Sequence, residues 1–332
     1  MKNIRVAILG ATGLVGQKIL EVLVDRATPI TDLVPLATDG QGRQITFGGR
    51  TIPVEPVEGM DWNRVDIAFF AASNDASARY APLATKAGVT VVDKSSFFRM
   101  DPEVPLVVPE VNPSSIGDSL LIASPNCSTI QMVVALNPIR LRYGLRKVLV
   151  STYQAVSGTG REAMATLRRE SEEYLAGSQP EPSTYPSLIG FNVLPFCDRF
   201  GEMDYTGEEW KLTRETQKIF SQAIPVSATA VRVPVFVGHA EAVYVETEQP
   251  FEVSDIRALL SNAPSVKVVD DPAQGVVPTP LASADQDLVL VGRIRQDPFE
   301  PRGLHLFVVA DNLRKGAATN AVQIIESLNS RF

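Results

Sequence analysis

The hydrophobic residues near the start of the chain form one short continuous run, and helical spacing follows it. Residues 4–9 are almost entirely apolar, which is typical of a parallel strand buried on both faces. A glycine-rich turn comes next, and residues 14–23 then carry apolar side chains at mostly helical spacing. The pattern therefore predicts a strand, a glycine turn and a helix in immediate succession.

Strand-like and helix-compatible segments continue to alternate through the first third of the chain. Strands are predicted at residues 67–71, 89–92 and 120–123, and a helix at residues 76–87. Strands that alternate with helices pair in parallel and carry helices on both faces. We therefore expect an α/β fold that contains a Rossmann-type, doubly wound parallel sheet.

After Cys127 the strand-like segments become longer and richer in β-branched and aromatic residues. The predicted helices are residues 129–141, 161–175 and an amphipathic 317–328 that could pack on the first domain, and the predicted strands are residues 148–155, 228–235, 242–248, 289–295 and 304–310. Residues 178–195 are rich in Pro and Ser, which indicates an excursion without regular structure. This part of the chain predicts a second, α+β domain with a mixed sheet.

Length, charge and cysteine content exclude several classes of protein. The 332 residues, 45% hydrophobic and 21% charged, are enough for two cores. A formal net charge of -7 argues against nucleic acid or an anionic membrane as the main partner. Only two cysteines are present, so we expect no disulfide framework and no metal, and the absence of a signal-peptide pattern or a spanning apolar segment predicts a cytoplasmic protein.

Residues 10–16 read GATGLVG, a G-x-x-G-x-x-G variant of the dinucleotide-binding motif. Glycine lets the backbone approach a pyrophosphate, whose charge is stabilised by backbone amides and by the positive end of the following helix. A tight turn without a ligand is the alternative, and the strand before and the helix after favour a nucleotide. Asp39 can accept a hydrogen bond from a ribose hydroxyl or repel a 2′-phosphate, which leaves NAD and NADP open. The residues predicted to contact the cofactor here are Gly10, Thr12, Gly13, Leu14, Val15, Gly16 and Thr38.

Cys127 lies between an extended segment and a predicted helix, where the helix dipole favours a thiolate. The alternative is an inert buried cysteine. His239, just past a predicted strand and near Glu241, can take the thiol proton and later shuttle the proton of an oxyanion. The other histidine, His305, and the other cysteine, Cys197, lie in apolar segments and are expected to be structural.

Six motifs in the same order along the whole chain resemble the bacterial aspartate-semialdehyde dehydrogenase family. They are residues 10–16, 95–100, 125–129, 152–158, 232–239 and 311–320. The resemblance implies that Cys127 is the nucleophile, His239 the acid/base and Gln154 the side chain that orients the reacting thioester or thiohemiacetal. It further implies substrate contacts from Arg99, Asn126 and Lys211 to phosphate, from Glu208 to the ammonium group and from Arg232 to the carboxylate, and cofactor contacts from Ser157, Gly158 and Asn312. From spacing alone, Glu208 and Lys211 form an ordinary exposed helix pair.

The family reaction would be the NADPH-dependent, reversible reduction of 4-phospho-L-aspartate to L-aspartate 4-semialdehyde and phosphate. It would serve lysine, threonine, methionine and diaminopimelate biosynthesis, in a homodimer formed through the second domain. We accordingly expect a dinucleotide-binding domain at residues 1–126 plus 311–332, and a catalytic and dimerisation domain at residues 127–310.

Three segments depart from the family pattern. Residues 38–41 replace a Ser-x-Arg-Ser element that grips the 2′-phosphate, so NAD stays possible beside NADP. Residues 72–74 stand in place of paired glycines, and Lys94 stands where asparagine is common. These changes concern cofactor contacts and leave the chemistry of Cys127 intact.

Two other functions compete with this interpretation. N-acetyl-γ-glutamyl-phosphate reductase also forms a covalent intermediate but acts on a substrate with a blocked amine. Asn126 directly before Cys127, together with Glu208, favours a substrate with a free amino group. A non-catalytic dinucleotide-binding regulator is the second alternative, and the presence of Cys127, Gln154 and His239 argues against it.

Overall fold

The protein folds into two compact units. The computed structural model describes residues 4–39 and 42–328. The first unit comprises Met1–Asn126 and Ala317–Phe332, and the second comprises Cys127–Gly316. Residues 311–316, which the sequence assigned to the dinucleotide-binding domain, lie in the second unit.

The first unit is built on a parallel sheet. Its strands are β1 (Ile4–Leu9), β2 (Ile30–Ala37), β3 (Gln44–Phe47), β4 (Arg50–Pro53), β5 (Glu55–Pro56), β6 (Ile67–Phe70), β7 (Thr90–Asp93) and β8 (Leu121–Ala123). Six of them form one sheet in the order β5-β2-β1-β6-β7-β8 with every pairing parallel, and β3 and β4 form a separate antiparallel hairpin. The chain leaves β1 first toward β2 and later returns to β6 on its other side, which confirms the doubly wound prediction.

Two helices follow the strands at the places that the hydrophobic spacing predicted. They are α1 (Leu14–Asp25) and α2 (Asn74–Lys86). Ile19 and Leu23 of α1 are fully buried in the same core as Val6 and Ile8 of β1. β1 is buried on both faces, as expected for a strand in a sheet that is covered by helices, and this explains its near-continuous apolar run.

The second unit is a mixed sheet packed against helices. Its helices are α3 (Cys127–Tyr143), α4 (Arg161–Leu175), α5 (Gly207–Phe220), α6 (Val253–Ser261) and α7 (Pro280–Ser283), and its strands are β9 (Lys147–Gln154), β10 (Val226–Arg232), β11 (His239–Glu246), β12 (Val266–Val268), β13 (Val289–Gln296) and β14 (Gly303–Ala310). The strand order is β10-β9-β11-β14-β13-β12, with parallel outer pairs and antiparallel inner pairs. No helix in the described part of the chain is long and apolar enough to cross a membrane.

Buried and half-buried side chains alternate along the central strands, so the two faces of this sheet differ. On β9 and β11, Thr152 pairs with Glu241 on the buried inner face, which contacts α3. Their neighbours Ser151 and Ala242 pair on the outward face, where side chains stay half-buried. A shallow cavity of ≈ 460 Å³ lies on this outward face, and Tyr244 and Phe307 help to line it.

The chain turns between β10 and β11 earlier than the sequence predicted. The predicted strand at residues 228–235 ends at Arg232, and His239 is the first residue of β11, not a residue beyond a strand. Pro234 has no N–H for a neighbouring strand, and Gly238 adopts a φ of 95°, a left-handed conformation that favours glycine. This turn brings His239 back beside the end of β9.

The end of the described chain returns to the first unit. Residues Arg314–Thr319 form a π-helix, and α8 (Asn320–Glu326) follows, so the predicted helix at residues 317–328 begins in a different helical geometry. Val322 and Ile325 are buried in the core of the first unit, as the amphipathic spacing predicted. The Asn320 amide also donates hydrogen bonds to the Val107 carbonyl and the Ser124 hydroxyl.

Candidate active site

Two positions of the glycine-rich turn after β1 accept only glycine. Gly10 has a φ of 86°, and a Cβ atom there would lie 2.3 Å from the Ala71 carbonyl oxygen. A Cβ atom at Gly16 would lie 2.2 Å from the Gly10 carbonyl oxygen, which would push α1 off the turn. Gly13 immediately precedes α1 and provides no side-chain cap for the first turn of the helix.

This turn has the features of a pyrophosphate site. It sits at the carboxyl end of β1, beside β6, where the strand order reverses and nucleotides bind in such sheets. The first turn of α1 contains no acidic residue, so its amides and dipole present positive potential without competition from its own side chains. Thr12, Leu14 and Val15 lie on this turn and the first residues of α1, as a dinucleotide contact requires.

The segment after β2 carries an ion pair that the motif comparison did not reveal. Thr38 follows the last residue of β2, and the carboxylate of Asp39 accepts a hydrogen bond at 3.0 Å from the Arg43 guanidinium. Both side chains are exposed. Gly40 and Gln41, the rest of the segment that departs from the family pattern, lie outside the described residues. Arg43 was missed because it lies beyond the segment where the family places its arginine.

The loop after β7 organises Arg99. The buried carboxylate of Asp93 accepts hydrogen bonds from the Ser77 and Ser95 hydroxyls and from the Ser95 backbone N–H. The Arg99 guanidinium donates to the Lys94 carbonyl oxygen at 2.8 Å and is 8% exposed.

Lys94, which departs from the family pattern, holds the chain just before the candidate nucleophile. Its ammonium group donates to the Ser124 hydroxyl and to the Pro125 carbonyl oxygen, each at 3.1 Å. Lys94 therefore links the Arg99 loop to the segment that leads to Asn126. Asn126 is itself 7% exposed.

Cys127 is the first residue of α3. A negative charge on its sulfur would lie at the positive end of the 17-residue helix, which stabilises a thiolate. A Cβ atom at Gly316 would lie 2.8 Å from the Cys127 Cβ, so a glycine is required behind the cysteine. Cys127 is half-buried and forms no disulfide, which leaves the sulfur available for chemistry.

His239 is fully buried and held in one tautomer. Its Nδ1 accepts a hydrogen bond at 3.0 Å from the Ala155 backbone N–H, so the proton of the neutral ring is on Nε2. Nε2 is buried and makes no hydrogen bond to any described residue. Burial, and secondarily the charge of Arg232, lower the pKa of His239 well below its usual range. A neutral ring that presents an Nε2–H is suited to donating a hydrogen bond to an oxyanion.

Arg232 lies beside the same ring. Its Nη1 donates to the Ala155 carbonyl oxygen at 2.8 Å, so one residue, Ala155, fixes both side chains through its backbone N–H and C=O groups. A Cβ atom at Gly158 would lie 3.1 Å from both Arg232 Nη1 and His239 Nε2, so glycine keeps the space next to them open. The Nε of Arg232 is buried without a hydrogen bond, which leaves a charged donor for a ligand carboxylate.

Gln154 belongs to a chain of polar side chains on the inner face of the sheet. Its amide donates to Glu208 Oε1 at 3.0 Å and to the Thr152 hydroxyl. Glu208 Oε2 accepts from the Lys211 ammonium group at 3.2 Å, and Lys211 also binds Asp198 at 2.8 Å. Glu208 and Lys211 thus make the i,i+3 helix contact that spacing alone predicted. The pair is not an ordinary exposed one, because Glu208 is 7% exposed and also accepts the hydrogen bond from Gln154.

The three residues predicted to hold the cofactor in the second unit also meet. Asn312 Oδ1 accepts hydrogen bonds from the Ser157 hydroxyl at 3.1 Å and from the Gly238 backbone N–H at 3.0 Å. With its oxygen fixed in this way, Asn312 presents its Nδ2 amide group as a donor. Ser157 and Gly158 form the short 3-10 turn, Val156–Gly158, that follows β9.

Comparisons with known proteins cover the whole chain. Residues 5–119 match the family model for the semialdehyde dehydrogenase NAD binding domain, and residues 136–315 match the semialdehyde dehydrogenase dimerisation domain. The aspartate-semialdehyde dehydrogenase of Shewanella sp. (strain DB6705) is 47% identical over 333 residues and covers 98% of each chain. The chain belongs to the aspartate-semialdehyde dehydrogenase family.

Solved structures of that family share the fold. The crystal structure of aspartate semialdehyde dehydrogenase II from Vibrio cholerae is 45% identical, covers 100% of both chains and superposes with a TM-score of 0.96. A second Vibrio cholerae structure, described as complexed with ASA, is 44% identical with the same TM-score and the same coverage. The Rossmann-type parallel sheet and the second, mixed sheet are therefore those of an aspartate-semialdehyde dehydrogenase, an oxidoreductase fold.

The other cysteine and the other histidine lie in surroundings that differ from those of Cys127 and His239. Cys197 is buried, and its burial raises the pKa of the thiol to about 12, so it stays protonated and unreactive at neutral pH. His305 lies on the outward face of the mixed sheet, where its Nε2 contacts Asp297 at 2.9 Å. Neither residue competes with Cys127 and His239 as a candidate for the family chemistry.

Proposed function

We propose that the enzyme reduces 4-phospho-L-aspartate to L-aspartate 4-semialdehyde and phosphate, reversibly, through a thioester on Cys127, in lysine, threonine, methionine and diaminopimelate biosynthesis. The observation that carries this proposal is the placement of Cys127 at the start of α3 while Gln131, one turn later on the same helix, donates a hydrogen bond to the His239 carbonyl oxygen at 3.3 Å. The helix that begins with Cys127 therefore contacts the backbone of His239 within a single unit. A half-buried thiol at a helix N-terminus, together with a neutral hydrogen-bond donor, suits acyl transfer.

In the biosynthetic direction the Cys127 thiolate adds to the acyl carbonyl, and the C–O bond to phosphate breaks as the thioester forms. Phosphate leaves with its electron pair and takes up a proton from solvent. A nicotinamide cofactor, when bound, would supply the hydride that reduces the thioester. The Nε2–H of His239 donates a hydrogen bond to the oxyanion of the thiohemiacetal, which collapses to the aldehyde and returns the thiolate to Cys127.

Substrate groups are assigned by charge. Arg232, buried and with its Nε unused, suits the α-carboxylate, and Glu208 suits the ammonium group. Arg99, Asn126 and Lys211 are assigned to phosphate. Since Lys211 is bound to Asp198 and Glu208, its pairing with phosphate requires one of these contacts to lengthen. An acetylated amine carries no charge for Glu208, which favours aspartyl over N-acetylglutamyl substrates.

The assay that tests the proposal follows reduced cofactor by its absorbance. Aspartate semialdehyde, NADP and phosphate together should give steady production of NADPH, and omission of phosphate should stop it after at most one turnover. N-acetylglutamate semialdehyde serves as the matched control and should give a much lower kcat/KM. Binding of NADP without turnover of either aldehyde would instead indicate an idle dinucleotide-binding regulator.

We also infer a preference for NADP, with Arg43 as the residue that meets the 2′-phosphate. The segment after β2 is where a Rossmann-type domain contacts the adenosine ribose, and a nearby arginine accommodates the extra phosphate. The Asp39 carboxylate would then exchange its contact with Arg43 for one with the ribose. NAD is expected to be used less well, because its free ribose hydroxyl gives Arg43 no charge to bind.

Substitution of Arg43 by alanine should raise the KM for NADPH by roughly 10-fold, since one charge-assisted contact to phosphate is lost. The KM for NADH should change little, because NADH lacks that phosphate. Arg50→Ala, at an exposed position on β4 of the same unit, is the matched control and should leave both values unchanged. Equal effects of Arg43→Ala on the two cofactors would contradict this assignment.

We propose that two copies of the chain associate through the outward face of the mixed sheet. Helix α3 lies on the inner face of this sheet, and α5 and α6 contact both α3 and the sheet. The match to a dimerisation domain covers these strands. The outward face carries half-buried Ala242, Tyr244 and Phe307, a composition that suits burial against a second protein surface.

An Ala242→Arg variant should sediment as a monomer, because it places an unpaired charge in the middle of this surface. Leu141→Arg is the control, because Leu141 is 70% exposed near the end of α3, on the other side of the sheet. The control should sediment as the wild type does. A dimer that survives Ala242→Arg unchanged would rule out this face as the interface.

The proposed chemistry also implies a reducing compartment. Cys127 acts only as a reduced thiol, and neither it nor Cys197 forms a disulfide. We therefore propose a cytoplasmic location for the enzyme.

A further inference from the structure

Two neighbouring parallel strands of the first unit lead to residues that are assigned to phosphate. β7 and β8 pair in parallel up to their last residues. The Ser124 backbone N–H continues this ladder, because it donates to the Asp93 carbonyl oxygen at 2.8 Å. The segment after β7 carries Lys94 and Arg99, and the segment after β8 carries Asn126. The two segments therefore leave the sheet side by side at its carboxyl edge, where ligands bind in such sheets.

Lys94 holds both of these segments, and it uses a different polar group for each. Its backbone N–H donates to the Phe70 carbonyl oxygen of β6 at 2.8 Å, which anchors the residue to the sheet. Its carbonyl oxygen accepts from the Arg99 guanidinium at 2.8 Å. Its ammonium group donates to the Ser124 hydroxyl and to the Pro125 carbonyl oxygen, each at 3.1 Å. One residue therefore connects β6, the Arg99 loop and the segment that follows β8.

The ammonium contact matters most at Pro125, because proline has no N–H through which a neighbouring segment can hold it. Residues 124–126 belong to no helix or strand, so the direction of their backbone depends on individual contacts. All three residues are buried, and a buried carbonyl oxygen that loses its donor destabilises its surroundings. The Lys94 ammonium therefore fixes the backbone directly before Asn126.

The same ammonium group adds positive charge near an anion-binding position. The Arg99 guanidinium is 8% exposed and is bound to the backbone of Lys94, whose side chain is half-buried. Partly buried charges are screened by salt less than exposed ones. The neighbouring Asp93 carboxylate accepts its hydrogen bonds from serine residues. An anion that reaches Arg99 and Asn126 therefore meets the positive potential of two side chains.

We propose that Lys94 is a positioning residue of the phosphate subsite, in which its ammonium group fixes Asn126 through Pro125 and its carbonyl oxygen fixes Arg99. This inference rests on the proposed function, in which Arg99 and Asn126 bind phosphate. Lys94 acts through these two residues. Its substitution should therefore weaken the binding of phosphate more than that of the aldehyde or the dinucleotide, whose groups are assigned to other residues.

Lys94→Met tests this role, because methionine keeps most of the side-chain length and loses the charge and the N–H donors. In the direction of aldehyde oxidation, the KM for inorganic phosphate should rise by roughly 10-fold, since the Pro125 carbonyl loses its donor. The KM values for aspartate semialdehyde and NADP should stay within about 2-fold of the wild type, and kcat at saturating phosphate within about 3-fold.

Two further variants show which property of the side chain is needed. Lys94→Arg keeps a charged donor, so its KM for phosphate should stay within about 3-fold of the wild type. Lys86→Met is the matched control, because Lys86 is exposed at the end of α2 in the same unit. The control removes the same charge and should leave every KM unchanged.

Coupling to Asn126 separates positioning from an effect of charge alone. Asn126→Ala should raise the KM for phosphate by itself, because it removes a side chain assigned to that anion. When Lys94→Met is added to Asn126→Ala, the further rise should be smaller than the rise that Lys94→Met causes in the wild type. Equal factors in the two backgrounds would mean that Lys94 does not act through Asn126, which would contradict the inference.

A binding measurement makes the test independent of turnover. The phosphorus NMR line of inorganic phosphate should broaden on binding to the NADP-loaded enzyme, and Lys94→Met should need roughly 10-fold more phosphate to reach saturation. Lys94→Asn, whose uncharged side chain is too short to replace the contact with Pro125, is the second variant if Lys94→Met does not fold. Thermal unfolding of each variant shows whether it is folded.

The opposite results would overturn the inference. One such result is an unchanged KM and an unchanged affinity for phosphate in the folded Lys94→Met or Lys94→Asn variant. A raised KM for NADP with an unchanged KM for phosphate is another, because it would assign Lys94 to the dinucleotide. A wild-type enzyme that does not oxidise aspartate semialdehyde would refute the proposed function, while phosphorus NMR would still decide whether Lys94 controls the binding of phosphate.

Discussion

Replacing Cys127 with alanine should lower kcat with aspartate semialdehyde by at least about 10⁴-fold, because the reaction then has no group to carry the acyl intermediate. The first residue of α3 combines partial exposure, the helix dipole and a close approach by the Gly316 backbone. Steady-state production of NADPH at saturating substrate measures the effect.

Two controls make that loss specific. Cys127→Ala should bind NADPH with unchanged affinity, measured by calorimetry, because the glycine turn lies in the first unit. Cys197→Ala should keep turnover close to that of the wild type, since its raised pKa leaves the thiol protonated and inert. Normal turnover by Cys127→Ala would refute the covalent route.

Replacing His239 with asparagine should lower kcat by about 10²- to 10³-fold, the usual effect of removing one donor to an oxyanion. Asparagine can place an oxygen where Nδ1 accepts the Ala155 N–H, but it has nothing at the position of Nε2. Glutamine places an N–H near Nε2, so His239→Gln should recover part of the lost rate. Measurement of kcat for both variants tests whether a hydrogen-bond donor is what the site requires.

The pH dependence of the wild type distinguishes a donor from a general base. The pKa of His239 is lowered, so the ring is neutral above that pKa and becomes charged only as pH falls through it. We therefore expect kcat to show no acid limb near the ordinary pKa of histidine, about 6.5, and to decline only at lower pH. An acid limb centred near 6.5 that disappears in His239→Gln, with no rate recovered, would instead show that the ring takes up a proton during turnover.

Strong periodicity made much of the fold predictable. The polar helix predicted at residues 161–175 has the bounds that the structure gives to α4. The β3–β4 hairpin and α6 were not predicted, since short polar strands and a nine-residue helix give weak periodic signals. The shift at β10 and β11 came from Pro234 and Gly238, which interrupt a run of β-branched residues.

The candidate site also contains features that could be predicted from the sequence and features that could not. Residue types and the family resemblance identified the nucleophile, the histidine and the charged substrate contacts. Within the second unit, the structure places Gln154 beside Glu208 and Arg232 beside His239. Those roles stay predictions until variants are measured. Sequence gave no signal for the tautomer of His239 or for the Gln131 contact, because both depend on pairings between distant segments. Arg43 was missed since it lies outside the family motif.

The most direct test of the covalent route is the mass of the enzyme after it is mixed with 4-phospho-L-aspartate in the absence of reduced cofactor and quenched with acid. The thioester should accumulate, so the intact mass should rise by one aspartyl group per chain, and peptide mapping should locate it on Cys127. Cys127→Ala should gain no mass. An unmodified Cys127 in a wild-type sample that reduces the same substrate normally once NADPH is added would contradict the account.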